Sequence, residues 1–326
     1  LLPAFKSRNG LPSQRVNLRS GRRIGIDALC VAEIGSLQLE FAYLSHITGD
    51  SSFLNAACRA ESWLMRLAWR STPTYLLSTT ISANNGDMFG PRTAGGGVDS
   101  YYEYLIKQWI QTGKREKWLL DFYQNTTTAI DKYLIHRLGN ITVSSAYRQN
   151  KTEMGHLDCF LPGMFALGSY HNPKSKYAKR DMDIARGLTD SCWKLYKKSR
   201  STGAESLYVT RNHRLRIGNA FNLLRPEVAE SLYIMWRITG ESKYQERSWQ
   251  MFNQYRKYSR VAAGYATIQD VTAKKLIYRD KMETFWVAET LKYLWLTQSD
   301  VAATRINLDD WVFNTEAHPF PIVRDM

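Results

Sequence analysis

Apolar positions recur at helical spacing through most of this chain of 326 residues. After a loop-rich entry over residues 1–26, with Gly10, Pro12 and Gly21, residues 27–48 place Leu29, Ile34, Leu37, Phe41 and Leu44 on one helical face. The phrase ITGDSSF at 47–53 separates this from a second helix reaching about residue 69. The pattern fails across 71–97, a stretch rich in Thr, Gly and Asn that ends in Gly95-Gly96-Gly97 and reads as a long loop. Helical spacing returns over 98–112, from after QTGKREKW to about 137, from Pro162 to Leu167, and from after GSYHNPKSKY to about 199. Residues 138–155 and 200–222 read as polar loops. Beyond the stretch 223–244, a helix runs to about 258, residues 260–278 read as a short β-hairpin, and a last helix covers 280–297 before the tail.

The stretch LLRPEVAESLYIMWRITGESKY, residues 223–244, carries the clearest boundaries. Pro226 suits the first helical position, where its missing N–H has no partner anyway. Arg225 before it is biased to an extended backbone, and Gly240 marks a left-handed stop. Leu232, Tyr233, Ile234, Met235 and Trp236 are apolar on every side, which predicts a buried helix. Yet Glu227 and Glu230 lie three apart on one face of its first turn. Either they complement the helix dipole, or something polar binds there, because unpaired buried carboxylates are costly.

Gly49, Gly113, Gly168 and Gly240 each end one helix of a helix pair. Spacings of 55 to 72 residues exceed those of ordinary solenoids, so the pattern predicts an α/α toroid of hairpins joined by long loops. Counting back from these glycines, Glu33 lies 16 residues before, Asp99 14, His156 12 and Glu227 13. At a rise of ~1.5 Å they sit roughly 20 Å from their turns, at one mouth, where a ring of polar groups would suit a sugar. Each has a plainer reading. Asp99 also reads as an N-cap, His156 as a hydrogen-bonded structural histidine, and Glu33 and Glu103 as exposed helix residues. Phe285 and Glu289, four apart, suit the apolar face and the hydroxyls of a pyranose, although Phe285 also reads as core. Thr315, in FNTEAHP, offers a hydroxyl and a carbonyl, hard oxygens that suit calcium.

Composition narrows the class. A hydrophobic content of 44% supports a large core, and we expect one domain over 1–326. The net charge of +14 is scattered, which reads as a solvated basic exterior; with no zinc-finger spacing or P-loop, a nucleic-acid partner is not expected. No apolar run reaches the ~18 residues of a membrane span, and LLPAFKSRNG lacks the apolar stretch of a signal peptide. Three sequons, at Asn125, Asn140 and Asn150, point to the secretory pathway. The four cysteines leave that open.

Longer motifs carry a resemblance. LLPAF near the start, AE-x-x-SLQLEF-x-YLS-x-x-TGD from Ala32, VDSYYEYLIKQW from Val98, HLDCFLPGM from His156, LRPEVAES from Leu224, RDKMETFWVAETLKYL-x-L from Arg279 and FNTEAHP from Phe313 are similar to glycoside hydrolase family 47, the class I α-1,2-mannosidases. The resemblance implies an all-α (α/α)7 barrel. It also implies a calcium-dependent, inverting exo-hydrolase that trims terminal α-1,2-linked mannose from high-mannose N-glycans of glycoproteins. Glu227 would be the base that activates water, and Asp99 a second catalytic carboxylate. Glu205 of TGAES falls where the family usually has a Pro-Glu pair, and would be a further catalytic residue. Arg225, Glu230, His156, Glu103, Glu33, Phe285 and Glu289 would line the sugar subsite. Thr315 would be the only direct protein ligand of Ca2+, with Glu33, Glu103, Glu230 and Glu289 hydrogen-bonding its waters. Inversion needs carboxyls about 6.5–9.5 Å apart to admit water. A Cys159–Cys192 disulfide is implied too, a feature of the hydrolases, with Cys30 and Cys58 unpaired with each other. The compartment implied is the ER or Golgi lumen, or secretion, with a membrane reached only through an anchor outside this chain.

Two departures qualify this. Gly97 stands two residues before Asp99, where ER-type members carry Arg, which points toward the broader Golgi or secreted preference. The family's N-terminal motifs, including its proton-donating Glu, precede LLPAF. We therefore expect N-terminal helices to be missing and this chain alone to be inactive, with Val228, Leu232 and Met235 facing water unless a separate N-terminal fragment completes the barrel. The alternative reading is a mannose-binding quality-control protein of the EDEM branch, weakly catalytic or not at all.

Overall fold

The computed structural model describes residues 1–25 and 27–324. The chain divides into two compact units, Leu1–Leu134 with Trp311–Met326, and Ile135–Asp310.

The first unit is built on α1 (Val31–Gly35), α2 (Gln38–Thr48), α3 (Ser52–Arg70), α4 (Asp99–Gln111) and α5 (Lys117–Tyr133). The α2–α3 and α4–α5 hairpins form because their stops work as expected. Gly49 ends α2 at φ 72°, and Gly113 follows α4 at φ 69°, both left-handed positions that favour glycine. Every residue from 100 to 111 of α4 is buried, so this helix is the axis of the unit. Gly35 of α1 lies against it, where a Cβ would fall 2.6 Å from that of Tyr101.

Two expectations change here. The helix over 27–48 starts later and breaks: Ala28–Cys30 is a strand, and Ser36 leaves helical geometry at φ −126°. The loop over 71–97 holds strands Ser78–Ser82 and Met88–Arg92, and Ser78–Ser82 lies between Ala28–Cys30 and Met88–Arg92 in an antiparallel sheet. Leu29 sits opposite Ile81 in that sheet and both are buried, a cross-strand pair that composition alone conceals. The chain's last segment also belongs to this unit. Strands Trp311–Phe313 and Pro319–Pro321 pair, and Val323 N–H donates to the Gln111 carbonyl at 2.8 Å.

The second unit contains α6 (Leu161–His171), α7 (Ala178–Lys197), α8 (Glu227–Thr239), α9 (Ser242–Tyr258), α10 (Lys292–Gln298) and α11 (Val301–Thr304). A 3-10 turn, Leu157–Phe160, leads into α6, and a π-helical turn, Trp286–Leu291, leads into α10. Gly240 stops α8 at φ 67°, but Gly168 stops nothing. It lies inside α6, buried, and the helix continues to His171 because that glycine keeps helical geometry. The polar stretches again contain strands. Ile135–Leu138 pairs with Ile141–Ser144, and Ser206–Val209 sits between Glu153–Gly155 and Leu215–Ile217. The expected hairpin over 260–278 resolves into two short pairings, Arg260–Val261 with Gly264–Tyr265 and Thr267–Ile268 with Tyr278–Arg279.

The expectation that α8 turns an apolar face to water is not met. Val228, Leu232 and Met235 are 1%, 0% and 0% exposed, because α6, α9 and α10 all pack on α8. Cys159 and Cys192 form the disulfide, with Cα atoms 5.9 Å apart, while Cys30 and Cys58 are free. Asn125 on α5, Asn140 in the turn after Leu138 and Asn150 in the following loop are all exposed. Among the described residues no helix is long and apolar enough to cross a membrane.

Candidate active site

The start of α8 is held from both sides. Asn222 exchanges backbone hydrogen bonds with Ile268, at 2.8 and 3.0 Å, and its Oδ1 accepts from Leu224 N–H at 3.2 Å. Leu224 takes φ 61°, a left-handed position that costs a non-glycine residue about 1–2 kcal/mol. Its carbonyl accepts from the Thr290 hydroxyl at 2.7 Å. This clamp sets the direction in which Arg225 and Glu227 leave the backbone.

Glu227 meets His156 there: Oε2 lies 2.8 Å from Nδ1. His156 sits between strand Glu153–Gly155 and the 3-10 turn, and its backbone N–H donates to the Glu205 carbonyl at 2.7 Å. Glu205 in turn accepts from Arg225 Nε on Oε2, at 2.7 Å. Its Oε1 is buried and has no protein partner among the described residues. An acceptor left over beside a guanidinium is poised for water or a ligand hydroxyl. His156, Glu205, Arg225 and Glu227 thus form one cluster in this unit. Glu230 is buried one turn on, and Phe285 and Glu289 are half-exposed at the π-helical turn. The disulfide stands behind the cluster. The Cys159 carbonyl accepts from the Ser231 hydroxyl, which accepts from Gly163 N–H at 3.0 Å, so α6 and α8 are tied at this end.

His156 has a second partner that the sequence did not single out. Its Nε2 is 3.0 Å from the Tyr196 hydroxyl, which is 2.9 Å from that of Tyr255. Both rings are buried in the core. No local sequence pattern marks where their hydroxyls point. Burial raises both phenols above their ordinary range, so each remains an O–H. Asp158, two residues from His156, is fully enclosed. It accepts from Ser144 Oγ at 2.7 Å and Gly155 N–H at 3.0 Å, and burial pushes its carboxyl up to about 6.

The first unit holds the other candidates. Asp99 opens α4 half-buried, with Oδ1 accepting from Ser100 N–H at 3.0 Å. Glu33 is exposed on α1, as its plainer reading had it, and lies near this helix start, since Ala32 N–H donates to the Gly97 carbonyl and Ser100 Oγ to that of Ala32. Glu103 is not an exposed helix residue; it forms a buried ion pair with Lys107. Thr315 gives its N–H to the Tyr104 hydroxyl at 3.4 Å, and that hydroxyl donates to Glu40 Oε1 at 2.7 Å. Asn314 Nδ2 reaches the same oxygen at 2.8 Å, whereas Glu40 Oε2 is buried with no protein partner among the described residues. The sequence reading did not single out Glu40, although it stands within SLQLEF.

Over residues 1–322 the chain matches Glycosyl hydrolase family 47. The chain belongs to this family. It is 37% identical to the mouse (Mus musculus) endoplasmic reticulum mannosyl-oligosaccharide 1,2-alpha-mannosidase over 342 residues, 99% of this chain and 51% of that protein. It is 36% identical to mannosyl-oligosaccharide 1,2-alpha-mannosidase MNS1 of Arabidopsis thaliana, covering 58% of it. The chain thus spans about half the length of the curated relatives it matches. The alpha-1,2-mannosidase structure from Trichoderma reesei superposes with a TM-score of 0.89 at 28% identity, covering 99% of this chain and 72% of that one. Its paired helices are of the α/α class expected from the motifs.

Proposed function

We propose that the protein is an exo-α-1,2-mannosidase that removes terminal mannose from high-mannose N-glycans with inversion, using calcium, in the secretory pathway. One observation carries this reading within the family: Glu227, at the mouth of a buried helix, is oriented by His156 at 2.8 Å. A carboxylate so held is suited to take a proton from water as water attacks the anomeric carbon. Arg225 and Glu205, joined beside it, present a guanidinium and one unpaired carboxylate oxygen to sugar hydroxyls. Asp99 is the second carboxylate of this reading.

Calcium fits the residues around Thr315. Its hydroxyl and carbonyl and the partnerless Glu40 Oε2 are hard oxygens, the donor type calcium takes. Among the described residues no three His, Cys, Asp or Glu side chains group to hold an ion, so water and sugar oxygens would complete the coordination. When bound, the ion would supply a positive centre that orients mannose hydroxyls. Thr315 would hold it, and Glu40, through Tyr104 and Asn314, would fix the Thr315 backbone.

The lectin alternative gains no observation, whereas the Cys159–Cys192 disulfide is the feature assigned to the hydrolases. The test is to incubate the intact gene product with α-1,2-linked oligomannose and follow the released anomer by proton NMR. We expect β-mannose first, loss on chelation of calcium, and a fall of about 10²–10⁴-fold in Glu227→Gln. Binding of the glycan without release would favour the lectin, and release unaffected by Glu227→Gln would remove the base from Glu227.

A further inference from the structure

His156 has two hydrogen-bonding nitrogens, and which of them carries the proton decides whether it donates to Glu227. We propose that Tyr196, Tyr255 and Asn222 form a one-way hydrogen-bond chain that fixes the Nδ1–H tautomer of His156 and aims that proton at Glu227. They are positioning residues for the base, and the proposal rests on the reading of Glu227 as the base.

The direction follows from the two ends. Asn222 is oriented by the backbone: its Nδ2 donates to the Gly203 carbonyl at 2.8 Å, and its Oδ1 accepts from Leu224 N–H. The amide cannot be flipped without setting a carbonyl oxygen against the Gly203 carbonyl. Its Nδ2 also faces the Tyr255 hydroxyl at 3.5 Å, the longest link, and an amide nitrogen only donates. Tyr255 therefore directs its proton to the Tyr196 oxygen, and Tyr196 directs its own to His156 Nε2. An Nε2 that accepts leaves the ring proton on Nδ1, opposite the carboxylate of Glu227, which only accepts. With the opposite tautomer the run would reverse, and the Tyr255 proton would confront an amide donor.

The packing keeps the chain from loosening. Tyr196 and Tyr255 are buried, with Trp193 stacked on Tyr196 at 5.8 Å and Trp286 edge-on to Tyr255 at 4.6 Å. Gly203 lies under the Tyr196 ring, where a Cβ would fall 2.4 Å from Cζ. Both phenols lie far above neutral, so neither link loses its proton in the working range.

The test is spectroscopic. The chain has six histidines, so selective 15N-histidine labelling leaves the His156 ring assignable by His156→Gln. Long-range proton–nitrogen correlation should show a protonated Nδ1 and an unprotonated, hydrogen-bonded Nε2. In Tyr196→Phe the Nε2 signal should move to its free position and the other tautomer should appear. Tyr255→Phe, which keeps every ring, should cause a smaller change of the same sign and serves if Tyr196→Phe does not fold. In the intact gene product, Tyr196→Phe should lower kcat about tenfold and leave KM unchanged, the effect of one lost hydrogen bond. A wild-type Nε2–H tautomer, or tautomer signals unmoved by both variants, would overturn the proposal. Activity that survives Glu227→Gln would instead remove the base and leave the tautomer result standing.

Discussion

In the unit over residues 135–310, buried polar groups hand hydrogen bonds from one to the next, from Asn222 through Tyr255, Tyr196 and His156 to Glu227. In the unit formed by 1–134 and the chain's end, the polar core is instead charged and partly open. Lys107 neutralises Glu103 inside α4, and Glu40 places two donors on one oxygen and none on the other. A chain of neutral links holds a side chain in one orientation without trapping charge. A buried carboxylate oxygen without a protein donor leaves an attractive place for a cation or water. The two units therefore differ in kind: neutral links orient a carboxylate, Glu227, in one, and a buried carboxylate oxygen, Glu40 Oε2, is left over in the other.

The comparison breaks most severely at Lys107. Lys107→Met leaves Glu103 charged and enclosed, with side chains only 2% and 5% exposed in the pair. We expect a loss of about 3–5 kcal/mol in urea unfolding. A loss under 1 kcal/mol would mean that Glu103 finds another partner or reaches water.

Acid sharpens the comparison because each unit has an enclosed carboxyl that burial raises. Glu61, on α3, accepts from Gln108 Nε2 at 2.5 Å, and burial pushes it from 4.5 up to about 7; Asp158 rises from 3.8 to about 6. A carboxyl raised by folding favours the native state while protonated. Its contribution is complete below the unfolded value and is lost as pH climbs through the folded one. Stability should thus fall between pH 4.5 and 7 from Glu61 and between pH 3.8 and 6 from Asp158, each on the order of 3 kcal/mol. Glu61→Gln should flatten the upper window and Asp158→Asn the lower, read as urea midpoints against pH. If both variants keep the wild-type slope, other groups set it.

The smallest effect is at Gly203. Gly203→Ala drives a methyl into the Tyr196 ring, an overpacking worth about 1–3 kcal/mol. Because the displaced ring holds His156, the melting temperature should drop together with kcat. A drop in melting temperature alone would show that the Tyr196 hydroxyl can follow the ring without disturbing the base.

Helix ends were legible where one residue type suffices. Gly49 and Gly240 stop helices, and Pro226 precedes the carboxylates of α8, because left-handed φ and a missing N–H are local properties. Gly168 misled for the complementary reason, since a glycine tolerates helical geometry as readily as it ends it. The short strands hid in polar stretches because each has at most five residues, and its pairing partner, not its own pattern, makes it a strand.

The carboxylates and His156 could be named from the sequence because charge and imidazole announce themselves by residue type, and the motifs around them are long. That Glu227 meets His156 across 71 positions, and that Tyr196 and Tyr255 stand behind it from 40 and 59 positions away along the links of the chain, only the folded structure decided. A hydroxyl's role depends on the few tenths of an ångström and the direction that separate a hydrogen bond from a contact. Those are settled when α7, α8 and α9 pack, and no residue carries them alone.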